Sequence, residues 1–120
     1  MQKKILMFVL CVCVWRPAFA DTILVLGDSL SAGYGLPRST GWVNLLRTRL
    51  AAEEKDLAVI NASMSGETTA GGKRRIAQLL DRHQPRVVVI ELGANDALQG
   101  IRIPLIRENL SAIVEACQRH

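Results

Sequence analysis

Thr22-Ile23-Leu24-Val25-Leu26-Gly27-Asp28-Ser29-Leu30-Ser31 is the stretch on which the reading of this chain turns. Ile23 to Leu26 form a continuous apolar run that ends in glycine, the pattern of a strand buried on both faces in a parallel sheet. A small-residue segment, Ala32-Gly33-Tyr34-Gly35, follows. A serine at the carboxyl end of such a strand stands where open α/β sheets bind ligands. Taken alone, Ser29 fits a nucleophile, a phosphate-binding turn or a plain tight turn.

Outward from there the pattern repeats. The strand over Thr22–Leu26 leads into a loop over residues 28–38. A helix then follows, capped by Ser39 or Thr40. Trp42, Leu45, Leu46 and Leu50 form its inner face, with Val43 flanking; Arg47, Arg49, Glu53 and Glu54 face water. Leu57–Ile60 is a second short strand, ending at Asn61. The loop Asn61-Ala62-Ser63-Met64-Ser65-Gly66-Glu67-Thr68 comes next. A second helix, capped near Thr68 or Thr69, turns Ile76, Leu79 and Leu80 inward and is ended by Pro85. Val87–Leu92 is the third and most hydrophobic strand. A third loop, Gly93-Ala94-Asn95-Asp96, follows it directly. Pro104 suits the first turn of a third helix, with Ile106, Leu110, Ile113, Val114 and Cys117 as its inner stripe.

Strand and helix alternate three times, which predicts right-handed crossovers and a parallel sheet of the α/β class. All three polar loops follow strands, so all three lie on one edge of that sheet. Ser29, Gly66 and Asn95 therefore converge although they are far apart in sequence.

The first twenty residues stand apart from this pattern. Lys3 and Lys4 form a basic start, Ile5 to Trp15 an apolar stretch, and Ala18-Phe19-Ala20 a small-x-small cleavage site before Asp21. That is the pattern of a secretory signal peptide cut after Ala20, too short for a membrane anchor. No lipoprotein-type box surrounds Cys11 or Cys13. The expected product is a periplasmic or secreted protein without a stable membrane anchor, and residues 21–120 form its folded part. Removing the leader takes away Lys3, Lys4 and Arg16 and no acid, so the formal charge of +4 falls to +1. The cluster Lys73-Arg74-Arg75 has no interleaved aromatics. It reads as a solvated helix face, and no nucleic-acid partner is expected. Cys117 alone remains after the cut; it cannot form an internal disulfide and reads as a buried, inert thiol.

The loops offer what acyl transfer needs: a nucleophile and donors for the oxyanion of the tetrahedral intermediate. Ser29 has a hydroxyl and a backbone N–H. Gly66 has no side chain, so its N–H can approach a substrate closely. Asn95 has a side-chain amide. Singly, each residue is explained by turns and by side-chain to backbone bonds. Together, after three successive strands, they favour catalysis.

Gly27-Asp28-Ser29-Leu30-Ser31, Asn61 to Thr68 and Gly93-Ala94-Asn95-Asp96 resemble, in order and spacing, the first three sequence blocks of the SGNH (GDSL) hydrolases. Within that family the chain is most similar to the bacterial periplasmic multifunctional acyl-CoA thioesterase, lysophospholipase and arylesterase type. The resemblance implies a flavodoxin-like three-layer α/β/α sandwich with a parallel sheet, here about three βα units long, and no metal or cofactor. It implies Ser29 as nucleophile, with the Ser29 N–H, the Gly66 N–H and the Asn95 side chain as oxyanion hole. Asp28 and Asp96 would orient their loops. Leu98, Ile101 and Ile103, on a mobile loop from Ala97 to Pro104, would meet an acyl chain. The substrates implied are acyl esters or thioesters of medium to long chain; a carbohydrate O-acetyl esterase is the alternative enzyme.

One block of that family has no counterpart here. The late Asp-x-x-His segment, which supplies the remaining triad members, is not in this sequence. His83 and His120 end the second and third helices, and a crossover helix carries its end to the edge of the sheet away from Ser29, so neither is expected to be the base. The expectation is the N-terminal part of a hydrolase domain, impaired as given, or else a catalytically silent remnant that binds an acyl or anionic ligand. The third strand would then be an exposed edge, open to self-association.

Overall fold

The computed structural model describes residues 21–120. The expected leader, with Cys11 and Cys13, lies outside the described residues. Eight elements follow in order: β1 (Asp21–Gly27), α1 (Ser29–Ala32), α2 (Trp42–Ala52), β2 (Leu57–Asn61), α3 (Thr69–His83), β3 (Val87–Glu91), α4 (Ala94–Leu98) and α5 (Ile103–Arg119).

The strands form a parallel sheet in the order β2-β1-β3. Ile23 stands opposite both Val59 and Val87, and Leu24 opposite Ile60 and Val88. The apolar run of β1 is therefore the centre of the sheet, and Leu24, Val25 and Leu26 are wholly buried. The chain leaves β1 toward β2 and crosses back over β1 to reach β3. Right-handed crossovers in opposite directions put their helices on opposite faces, which is the layered α/β/α arrangement expected. On one face, Leu26, Ile76, Leu80 and Ile113 make a core, with Leu79, Val88, Ile90, Leu92, Ala116 and Cys117 packed against it. Strand side chains alternate between faces, so Val25 points to the other layer, where α2 lies on β2.

Gly72 explains how closely α3 approaches this core. A Cβ there would fall 2.5 Å from Leu92 Cδ1 and 3.3 Å from Ile113 Cδ1. Burial pushes the Cys117 thiol above its ordinary value, against a smaller lowering by a backbone hydrogen bond. Less thiolate means less nucleophile, in keeping with an inert sulfur.

Four details differ from the sequence reading. The loops after β1 and β3 each contain a short helix, α1 and α4. The first is nucleated by Asp28, whose carboxylate accepts from Leu30 N–H at 2.9 Å; the second carries Asp96 in its first turn, where a carboxylate is favourable. Neither Ser39 nor Thr40 caps α2. Thr40 Oγ1 donates instead to the Pro37 carbonyl, and Gly41 stands at the cap without a side-chain bond. The inner face of α2 is Val43, Leu46 and Leu50, while Trp42 and Leu45 are exposed. In α5 the stripe is rotated: Asn109 and Ile113 are buried and Val114 is exposed.

The phase of α5 is open to test. Ile113→Ala is expected to lower the unfolding free energy by about 2–5 kcal/mol. Val114→Ala, one residue on, is expected to change it by no more than about 0.5 kcal/mol. Urea unfolding compares the two; equal losses would contradict this packing.

Candidate active site

Three segments follow the carboxyl ends of three parallel strands, and hydrogen bonds tie them into one surface. The first holds Ser29. Asp28, wholly buried, caps α1, and Ser29 is the first helical residue. The first N–H groups of a helix have no acceptor within it. That of Leu30 is taken by Asp28; that of Ser29 has no acceptor among the described residues.

The second segment runs from Asn61 to Thr68. Its near end is laid along β1: Ala62 N donates to the Val25 carbonyl at 2.8 Å and Met64 N to the Gly27 carbonyl at 3.0 Å. Asn61 reaches across to the first segment, donating from Nδ2 to the Ser31 carbonyl at 2.8 Å. Gly66 has φ +80°, a conformation that favours glycine. Its N–H, like that of Ser29, meets no acceptor among the described residues.

The third segment is α4, and Asn95 joins the other two. Its Nδ2 donates to the Glu67 carbonyl at 2.9 Å and to Asp28 Oδ2 at 3.3 Å. One amide thus touches the residue after Gly66 and the residue before Ser29. Asp96 anchors α4 from beneath. It is buried and accepts from Thr69 N at 2.8 Å and from Thr69 Oγ1 at 2.5 Å. Asn109 of α5, also buried, donates to Thr69 Oγ1 at 3.1 Å.

Some of these partners were not singled out from the sequence. Glu91, the last residue of β3, accepts on Oε2 from Asp28 N at 3.3 Å and from Ser31 Oγ at 2.8 Å. Ser31 Oγ in turn accepts from Trp42 Nε1 at 3.2 Å. A glutamate closing an otherwise apolar strand was the visible signal for Glu91. Gly27 gives this network room, since a Cβ there would lie 2.9 Å from Glu91 Oε2. Arg75 also departs from the solvated face expected for its cluster. Lys73 stays at the surface beside Glu108, but Arg75 turns inward to pair with Glu67 at 2.6 Å.

Leu98, Ile101 and Ile103 do not share one loop. Leu98 ends α4 and is exposed, Ile101 is half-buried with its N–H on the Asp96 carbonyl, and Ile103 begins α5. Ile103 instead lines an open apolar groove of about 540 Å³ along α5, with Ile106, Leu110 and Val114. That groove includes no residue of the three loop segments.

Neither histidine approaches Ser29. His120 Nε2 lies 3.3 Å from Gln84 Nε2 and 3.7 Å from Asp81 Oδ1. His83 ends α3, which spans about 22 Å from its start beside the site.

Chemically the surface presents a hydroxyl, two unoccupied backbone donors and a fixed amide. It is poorly made for phosphate: the Asp28 N–H that such a turn would offer is taken by Glu91, and two carboxylates stand at the turn. Among the described residues no cluster of His, Cys, Asp and Glu could hold a metal, and no helix is long and apolar enough to cross a membrane.

The carboxylate beneath α4 carries its own test. Asp96→Asn replaces one acceptor oxygen by a donor and strands a buried group of Thr69. The expected loss is about 1–3 kcal/mol of unfolding free energy. Asp56→Asn, at an exposed position, is expected to stay within about 0.5 kcal/mol. Equal behaviour in urea would refute the anchoring.

Comparison with known proteins gives a consistent picture. The sequence model of the GDSL-like Lipase/Acylhydrolase family matches residues 25–120. Esterase TesA of Pseudomonas aeruginosa is 48% identical over 104 residues, 87% of this chain and 52% of that protein. Thioesterase 1/protease 1/lysophospholipase L1 of Escherichia coli is 42% identical, over 88% of this chain and 50% of that protein. A crystal structure of TesA superposes with a TM-score of 0.81 at 47% identity, covering 82% of this chain and 55% of that one. The psychrotrophic esterase EstA of Pseudoalteromonas gives 0.78 at 49% identity, covering 82% and 54%. The chain spans about half the length of the relatives it matches.

Proposed function

Because the chain belongs to the GDSL-like lipase/acylhydrolase family, we propose that it carries the nucleophile and oxyanion hole of a serine hydrolase of carboxylic esters and thioesters. The observation that carries the reading is the Asn95 amide, held between the Glu67 carbonyl and the Asp28 carboxylate. It ties the segment that carries Gly66 to the one that carries Ser29, which supports a common site.

In this proposal Ser29 Oγ attacks the acyl carbonyl carbon. The carbonyl electron pair moves to oxygen, and the Ser29 N–H, the Gly66 N–H and the Asn95 amide receive the oxyanion. The 3.3 Å contact to Asp28 is the longer of the two Asn95 bonds, and in this proposal the planar amide moves as a unit and exchanges that contact for one to the oxyanion. Collapse expels the alkoxide or thiolate and leaves an acyl-Ser29 ester, which water then hydrolyses. Each donor is worth about 10²–10³ in rate. Leu30, Tyr34, Leu36, Met64 and Leu98 are exposed on the loop segments, an apolar rim suited to a medium or long acyl chain.

The proton of Ser29 must go to a base that the described residues do not supply. Without it a serine hydrolase loses about 10⁶ in turnover and keeps roughly 10³–10⁴ over water, from binding and the oxyanion hole. On this reading the described residues hold the nucleophile and the oxyanion donors, and the base belongs to an Asp-x-x-His segment.

A fluorophosphonate probe tests this. The chain extended by such a segment is expected to label at Ser29, the chain alone far more slowly, and Ser29→Ala not at all. Labelling of neither form would sink the assignment. The leader implies a periplasmic or secreted site of action; N-terminal sequencing of the exported protein is expected to begin at Asp21, and an intact Met1 would contradict this.

A further inference from the structure

We propose that Arg75 is a positioning residue for the oxyanion hole, an inference that rests on the function proposed above. Arg75 lies in α3, well away from Ser29 in sequence, and its guanidinium spans both ends of the segment that carries Gly66. One nitrogen donates to Glu67 Oε2 at 2.6 Å, and the other to the Ala62 carbonyl at 2.7 Å. The planar fork of arginine suits such a two-point hold, and lysine cannot reproduce it.

The segment needs this hold at its far end. Its near end is laid on β1 through Ala62 and Met64. Met64, Ser65 and Gly66 then run exposed, and Gly66 adopts φ +80°. Beyond Gly66 the chain is fixed by Glu67, whose side chain is only 10% exposed. The carboxylate fits there because residue 71 is glycine: a Cβ at Gly71 would collide with Glu67 Oε1. The same Glu67 offers its carbonyl to Asn95 Nδ2 at 2.9 Å. Arg75 thereby sets the aim of two of the three oxyanion donors, Gly66 through the backbone and Asn95 through the Glu67 carbonyl, without touching substrate.

The test uses hydrolysis of p-nitrophenyl butyrate by the 120-residue chain, in which the residual rate depends on the oxyanion donors and so on their aim. Arg75→Met alone would strand a buried carboxylate and endanger folding. The informative variant is Glu67→Gln combined with Arg75→Met, which removes the charge with its partner. It is expected to lower kcat by about tenfold, short of the 10²–10³ for deleting a donor. KM and the melting temperature are expected to stay close to the parent's, a split that a merely structural role would not give. Arg75→Lys, which keeps the ion pair but not the fork, is expected to fall between. A double variant with kcat within about twofold of the parent, or with all of its loss explained by unfolding, would overturn the proposal. A parent whose hydrolysis is not reduced by Asn95→Ala would overturn the proposed function itself, and this inference with it.

Discussion

The two hydrogen bonds of the Asn95 amide, to the Glu67 carbonyl and to Asp28, are the contacts on which the site depends. They join segments that are separated by some thirty to seventy residues of chain. They can form only because β1 lies between β2 and β3 with all strands parallel. Each strand then delivers its following loop to the same edge. The chain leaves β1 toward β2 and then crosses back over β1 to reach β3, and ligands of open α/β sheets bind where the strand order reverses.

Around that amide the acidic side chains do structural work. Asp28 caps α1, Glu91 accepts from Asp28 N and Ser31 Oγ, Asp96 takes both donors of Thr69, and Glu67 is held by Arg75. Buried polar groups are costly when unpaired and rigidifying when satisfied. These four carboxylates fix the loops while leaving the N–H groups of Ser29 and Gly66 without acceptors among the described residues. The glycines matter in the same sense. Gly27 and Gly71 make room for Glu91 and Glu67, and Gly72 lets α3 settle onto Leu92 and Ile113.

Much of this was legible in the sequence, because it rests on short-range rules. Apolar runs marked all three strands, and their alternation with helices put the three following loops on one edge. What the sequence concealed depends on side-chain direction. Arg75 belongs by composition to a basic surface cluster, and only the missing Cβ of Gly71 admits the glutamate that draws it inward. Asn109 occupies a stripe position that hydrophobicity alone assigns to apolar residues. Trp42 and Val43 exchange roles because the indole is drawn to Ser31 Oγ. The single loop expected to hold Leu98, Ile101 and Ile103 is divided by α4 and α5.

The central claim is that three loops present their donors to one oxygen. An alkyl boronic acid that adds to Ser29 Oγ creates a tetrahedral, anionic mimic at that point, and a ¹H–¹⁵N spectrum of the chain reads the donors directly. The account predicts that the backbone signals of Ser29 and Gly66 and the side-chain amide of Asn95 shift together, with one common dissociation constant, and that Ser29→Ala abolishes all three shifts. Adduct formation at Ser29 that leaves Gly66 and Asn95 unmoved would contradict it.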